Sequence, residues 1–150
     1  MEATRILKTI LLTTLLAAIY VALGTVFIGL HTPPPPESWQ DLMGSSEAAV
    51  LGWLFLTHSM QVLLAALIPG LLLNLMRPKG WHWIGMAASL PFLGMGLESL
   101  LFIIRTDLAS SVAHRLVMAG DMLVFLLAIP LVAWLAQRLI PGSGVHPETV

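Results

Sequence analysis

Four long apolar stretches limit this chain to the folds that a lipid bilayer permits. A hydrocarbon core of about 30 Å needs roughly 20 helical residues to cross it. Overall, 57% of the residues are apolar, 10% are charged and the mean hydropathy is +0.90, which excludes an ordinary water-soluble domain. We therefore predict an all-α integral membrane protein, a compact four-helix bundle. Its predicted spans are Thr9–Leu30, Ala48–Met76, Trp81–Ile104 and Leu116–Ala136.

The loops predict one domain over residues 1–150 with both termini in the cytoplasm. Cytoplasmic flanks are richer in Lys and Arg than exported ones, and Arg105 and Arg115 lie on the other side. A cleavable signal peptide is the alternative for residues 1–31, but the apolar run is longer than a usual signal sequence. We predict a bacterial inner-membrane location and a flexible tail over residues 140–150. The cations assigned to the cytoplasmic side are Arg5, Lys8, Arg77, Lys79 and Arg138.

Charge and cysteine content exclude several classes of function. The formal net charge of −1 gives no excess of positive charge for binding nucleic acid. With no cysteine, the chain has no disulfide, thiolate nucleophile, iron–sulfur cluster or Cys-based zinc site. Any metal chemistry therefore has to use His, Met or carboxylate ligands.

Three His, Asp or Glu residues fall well inside the predicted spans, and His82 lies at the cytoplasmic end of the third span. Counting along the helices places His58, Glu98 and Asp121 roughly 9–16 Å below the exported surface, at a common depth. Intramembrane ionisable groups usually face the protein interior and mark functional sites. The alternative is that they are interhelical hydrogen-bonding partners, which is the interpretation we favour for Thr57, Gln61 and the nearby serines.

Two motifs resemble the styrene oxide isomerase family, small four-helix membrane proteins that rearrange aryl epoxides to aldehydes. The segment His31-Thr-Pro-Pro-Pro-Pro-Glu-Ser-Trp39 is similar to the family's H-x-P-x-x-P-E-x-W after the first helix. The segment Ala119-Gly-Asp-Met-Leu-Val-Phe-Leu-Leu-Ala-Ile-Pro130 is similar to the family's A-G-D-x-x-x-F-L-x-A-x-P on the fourth helix. The resemblance implies a homotrimer that binds haem b through one axial histidine. It also implies ferric iron acting as a Lewis acid on the oxygen of a small apolar epoxide.

The resemblance also indicates which residues would serve these roles. The family's ligand histidine position is Met43 here, or Ser45 if a two-residue insertion is allowed for, so His58 is our predicted iron ligand. The family's third-helix Asn and Tyr align with Glu98 and Phe102, the predicted catalytic residues beside Asp121. Asp121, from the A-G-D motif, would orient an imidazole or a water, or form a helix–helix hydrogen bond. The predicted partners of the haem propionates are Arg105, His114 and Arg115.

Two other functions remain open at this stage. An electron-transfer cytochrome b subunit would need a second axial ligand, for which Met43, His31 and His114 are candidates. A haem-free assembly or transport protein would use His58, Glu98 and Asp121 to relay protons or bind a cation.

Overall fold

In the computed structural model of the chain, α-helices are the only regular secondary structure of the described residues. These are residues 2–29, 33–105 and 112–140, without the side chains of 2, 28, 29, 45, 99, 100 and 102–104. The five helices are α1 (Glu2–Gly29), α2 (Glu37–Ser45), α3 (Glu47–Met76), α4 (Trp81–Arg105) and α5 (Val112–Leu139).

Three helices, α1, α3 and α5, are long and apolar enough to cross a membrane, which is the signature of a helical membrane protein. These three candidate spans overlap the predicted spans Thr9–Leu30, Ala48–Met76 and Leu116–Ala136. The fourth, α4, has sufficient length at 25 residues. Its described part includes His82, Pro91 and Glu98, and it is not among the helices that are apolar enough. Its membrane crossing stays a prediction.

The four long helices pack in a ring in the order α1, α3, α5, α4. The most extensive contact joins α3 to α5. Of the two diagonal pairs, α3 and α4 touch at a few points, and the described parts of α1 and α5 have no close backbone contact. Phe55 lies beside Gly120, and Gly70 lies beside Val132, so α3 and α5 run in the same direction. This direction is the one expected when consecutive spans alternate.

An aromatic cluster occupies the centre of the ring. Tyr20 of α1 is fully buried, with its ring centroid 5.1 Å from that of Phe92 on α4. Phe92 meets Phe125 of α5 edge-on at 5.0 Å. Gly24 lies against the Phe92 ring, and a Cβ atom at position 24 would clash with that ring. The cluster thus fixes the relative heights of α1, α4 and α5.

The turn between α3 and α4 lies where the sequence predicted a break, at Arg77-Pro-Lys-Gly80. The backbone of Arg77 has the left-handed helical conformation (φ 36°, ψ 51°), and its N–H donates to the Leu73 carbonyl at 3.0 Å. Gly80 also has a positive φ of 73°, which glycine adopts without strain.

Helix α2 corrects the prediction that residues 31–47 form only a loop. Pro36 is extended and precedes the helix, and its carbonyl accepts from the N–H groups of Trp39 (2.8 Å) and Gln40 (3.0 Å). Proline can precede a helix because its missing N–H would have had no helical acceptor there. Extended Ser46 then separates α2 from α3. Most of the predicted tail, residues 141–150, lies outside the described residues.

Candidate functional site

The centre of the candidate site is a contact between His58 on α3 and Asp121 on α5. Nδ1 of His58 lies 3.6 Å from Oδ2 of Asp121, an ion-pair distance when the imidazole is protonated. The side chains are 40% and 16% exposed, respectively. The His58 side chain is therefore accessible from outside the helix ring, while the Asp121 side chain is mostly covered.

Gly120 makes this approach of α3 and α5 feasible. A Cβ atom at position 120 would be 3.0 Å from Cε2 of Phe55, which is closer than ordinary van der Waals contact. Phe55 precedes His58 by almost one helical turn, so both lie on the same side of α3. The small residue of the Ala119-Gly120-Asp121 motif thus lets the neighbouring helix come close enough for His58 to reach the carboxylate.

Asp121 itself and two residues that follow His58 closely in the sequence carry buried oxygens without a hydrogen-bond partner among the described residues. Three buried atoms have no hydrogen-bond partner in the described part of the chain: Oδ1 of Asp121, Oγ of Ser59 and Oε1 of Gln61. Such groups are costly in a low-dielectric interior and commonly mark functional sites. Asp121 therefore contacts the imidazole with one oxygen and keeps the second as a free acceptor.

Thr57 does not have the interhelical role predicted for it. Its hydroxyl donates to the carbonyls of Trp53 and Leu54, 3.0 Å away in each case and within its own helix. Hydroxyl groups commonly bond in this way to the preceding turn. The side chain of Ser99 lies outside the described residues, so its predicted role is untested.

Glu98 does not join His58 and Asp121, although the sequence predicted all three at one depth. Gly96 of α4 packs on Phe125 and Met122, which places this part of α4 at the height of Asp121. Each helical residue rotates by about 100°, so Glu98 is rotated by about 200° from Gly96. Glu98 is accordingly exposed, with no hydrogen bond or ion pair to another described residue.

The remaining predicted site residues lie at the end of the ring that carries Arg105 and the start of α5. Arg105 and Arg115 are exposed and His114 is half-buried. His114 and Arg115 have interaction partners of their own. Met43 is half-buried on α2. The side chain of Phe102 and all of His31 lie outside the described residues.

Trp39, which the sequence analysis used only as part of a motif, has a clear structural role. Its indole N–H donates to the Ala49 carbonyl at 3.0 Å, and its ring lies 5.8 Å from that of Trp53. Trp53 in turn donates to the Pro33 carbonyl at 3.2 Å. The two tryptophans fasten the proline segment and α2 onto the start of α3.

The arrangement can supply one imidazole ligand whose orientation is held by a carboxylate. The described residues hold no group of three or more His, Asp or Glu side chains arranged to bind a metal ion. A haem needs no such group, because the porphyrin nitrogens provide four of the iron ligands and the protein supplies only axial ones. The donor set at His58 therefore fits a single-histidine haem site.

Comparisons of the chain with protein families, curated proteins and solved structures find no match.

Proposed function

We propose that this chain is a membrane haem b protein similar to the styrene oxide isomerases, in which His58 would hold the haem iron. The observation that carries the proposal is the 3.6 Å contact between His58 Nδ1 and Asp121 Oδ2. Metal-bound histidines commonly have their second ring nitrogen beside a carboxylate, which holds the ring orientation and raises its basicity. Contact through Nδ1 leaves Nε2 as the nitrogen for the iron.

The proposed protein is a four-span bundle in the bacterial inner membrane, with both termini cytoplasmic, that assembles as a homotrimer. The 40% exposure of the His58 side chain supports assembly, because a ligand on the outer face needs a neighbouring copy to enclose its site. The apolar faces of α1, α3 and α5 support insertion. Arg105, His114 and Arg115 would hold the propionates at the exported end by charge-assisted hydrogen bonds.

The proposed reaction is the rearrangement of a small apolar epoxide to an aldehyde. When bound, ferric haem would supply a Lewis acid for the epoxide oxygen. His58 would hold the iron and Asp121 would position the His58 ring. Phe102, on the helix where the family has Asn and Tyr, is proposed to orient the substrate at the rim of the site. Glu98 faces away from His58 and Asp121 and has no role in this proposal.

An absorption spectrum of the purified full-length protein tests haem binding. We expect a Soret band in the wild type that His58→Ala removes. His82→Ala is the matched control, since His82 is an exposed histidine between Trp81 and Trp83 and should leave the band unchanged. A wild-type protein that stays colourless after reconstitution with excess haem would overturn the proposal. A low-spin spectrum insensitive to imidazole and cyanide would instead favour an electron-transfer cytochrome.

Activity is tested separately, by adding an aryl epoxide to the haem-loaded protein and measuring aldehyde. We expect aldehyde formation with no reductant consumed, and its loss in His58→Ala. Haem binding with no aldehyde would reject the isomerase part of the proposal and leave the haem protein.

A second candidate function is a haem-free proton relay through His58 and Asp121. The buried oxygens of Asp121 and Gln61 that have no described partner favour it, because water or a hydronium ion could occupy such a path. In proteoliposomes with an internal pH dye, the relay predicts proton flux that Asp121→Asn abolishes. Glu98→Gln is the control, and the relay is rejected if both variants conduct like the wild type.

A further inference from the structure

A basic cleft lies at the opposite end of the helix ring from Arg105 and Arg115. It has a volume of about 410 Å³ and is formed between the first turns of α1 and the turn that joins α3 to α4. Its lining includes Arg5, Lys8, Leu12, Met76, Pro78 and Lys79. Three different segments thus contribute to one concavity that contains three cations.

The cations in this cleft have no protein counterion among the described residues. Arg5, Lys8 and Lys79 are exposed and form no ion pair there. The carboxylates whose side chains are described lie in α2, at the start of α3 or near the site of His58, which are all remote from this end. The cleft is therefore a concentration of positive charge suited to an anion.

Apolar surface continues directly from the cations. A second groove on α1 combines Arg5 and Thr9 with Ile6 and Ile10. Ile6 and Ile10 are 56% and 55% exposed, and Met76 on the facing side is 59% exposed. A free inorganic anion would use only the charged part of this surface. An amphiphile with a charged head and an apolar chain would use both parts.

The cleft also lies where a lipid headgroup would be. It is formed at the first turns of α1 and the last residue of α3, two helices that are long and apolar enough to span a membrane. Lys and Arg at such positions extend their charged ends to the interface while their apolar stems stay in contact with lipid. Clusters of these residues beside a span commonly recognise anionic headgroups.

We propose that this cleft is a binding site for an anionic phospholipid. Arg5, Lys8 and Lys79 contact the headgroup phosphate, and an acyl chain runs along Ile6 and Ile10. The inference does not depend on haem, because the cleft is at the other end of the helix ring from the predicted propionate partners.

Native mass spectrometry of the full-length protein with phosphatidylglycerol and phosphatidylcholine tests the site. We expect the wild type to retain phosphatidylglycerol at least about fivefold more than phosphatidylcholine. Lys79→Gln should remove most of this preference, and Lys79→Arg should keep it. Arg138→Gln is the control, because Arg138 carries the same charge at the same end but lies over the Trp134 ring at 5.3 Å, outside the cleft.

Three results would overturn the proposal. Equal retention of the two lipids by the wild type would exclude the site. An equal loss of preference in Lys79→Gln and Arg138→Gln would show general attraction between charges. If inorganic phosphate raised the melting temperature as much as phosphatidylglycerol, the cleft would be a site for free anions. Circular dichroism melting of each variant establishes that the comparison is between folded proteins.

Discussion

The Tyr20 hydroxyl of α1 donates a hydrogen bond to the Phe125 carbonyl of α5, 3.2 Å away, across the diagonal of the helix ring. Tyr20 is fully buried, so its hydroxyl would lose all solvation without this acceptor. The acceptor lies next to a weakened part of α5. Pro130 has no N–H, so the Leu126 carbonyl loses its usual helical donor there. The bond also joins two helices, α1 and α5, whose described backbones have no close contact with each other.

Tyr20→Phe should lower the free energy of unfolding by about 1 kcal/mol, since hydrogen bonds inside membrane proteins contribute about 0.6 kcal/mol on average and up to about 1.7. Titration with SDS from a mild detergent, followed by circular dichroism, measures the change. Thr25→Val is the control on the same helix. The Thr25 hydroxyl is exposed and bonds to Val21 within α1, so its removal should have a smaller effect. Equal effects of the two variants would contradict the proposed link.

Gly70 lies where α3 and α5 are tightly packed. A Cβ atom there would be 2.6 Å from Cγ1 and 2.7 Å from Cβ of Val132, and Val132 is itself buried. Gly70→Ala should therefore push the helices apart and destabilise the protein by about 1–3 kcal/mol, the usual effect of overpacking.

Gly94→Ala on α4 is the matched control for this prediction, because nothing lies within 4 Å of the added Cβ. Thermal unfolding in detergent should show a clear decrease in midpoint for Gly70→Ala. For Gly94→Ala the midpoint should stay or rise slightly, since alanine favours the helix over glycine. A destabilised Gly94→Ala together with an unaffected Gly70→Ala would show that the packing at Val132 is not as tight as described.

Asp121 should act on haem binding through His58, a prediction that depends on the proposed function. Asp121→Asn keeps the size of the side chain but removes its charge, and changes of this kind at metal-site histidines commonly weaken metal affinity about 10–100-fold. Resonance Raman spectra of the ferrous protein would measure the iron–histidine stretching frequency, which should fall as the imidazole becomes less basic. Glu98→Gln should change neither quantity. An unchanged frequency in Asp121→Asn would assign Asp121 a purely structural role.

The spans were predictable because a long apolar run has few alternatives to a helix in lipid. The turn at Arg77–Gly80 was also predictable, since Pro78 and Gly80 mark it in the sequence. The direction in which Glu98 faces was not. The depth of Glu98 in the membrane depends only on its position along α4, whereas the direction of its side chain depends on which side of α4 is buried. The apolar residues of α4 show no clear periodic pattern that marks that side, and the packing of Gly96 on Phe125 reveals it.

The pairing of His58 with Asp121 was predictable only in part. Both residues were predicted at one depth, and orienting an imidazole was one of the roles predicted for Asp121. The partner helix followed only from the ring order, in which α5 lies between α3 and α4. Helix α2 escaped prediction because the run of prolines before it indicates an extended loop, and proline is equally compatible with the residue before a helix.

Trp39 provides the final prediction, because it fastens α2 to α3 without belonging to the packed helix ring. Trp39→Phe keeps an aromatic ring near Trp53 but removes the indole donor to the Ala49 carbonyl. We expect amide hydrogens of residues 37–50 to exchange several-fold faster, while those around Tyr20 are unchanged, because local opening does not require the core to unfold. Trp83→Phe is the control, since Trp83 is 68% exposed. Hydrogen exchange with mass spectrometry would contradict this anchoring role if residues 37–50 of Trp39→Phe exchanged at the wild-type rate.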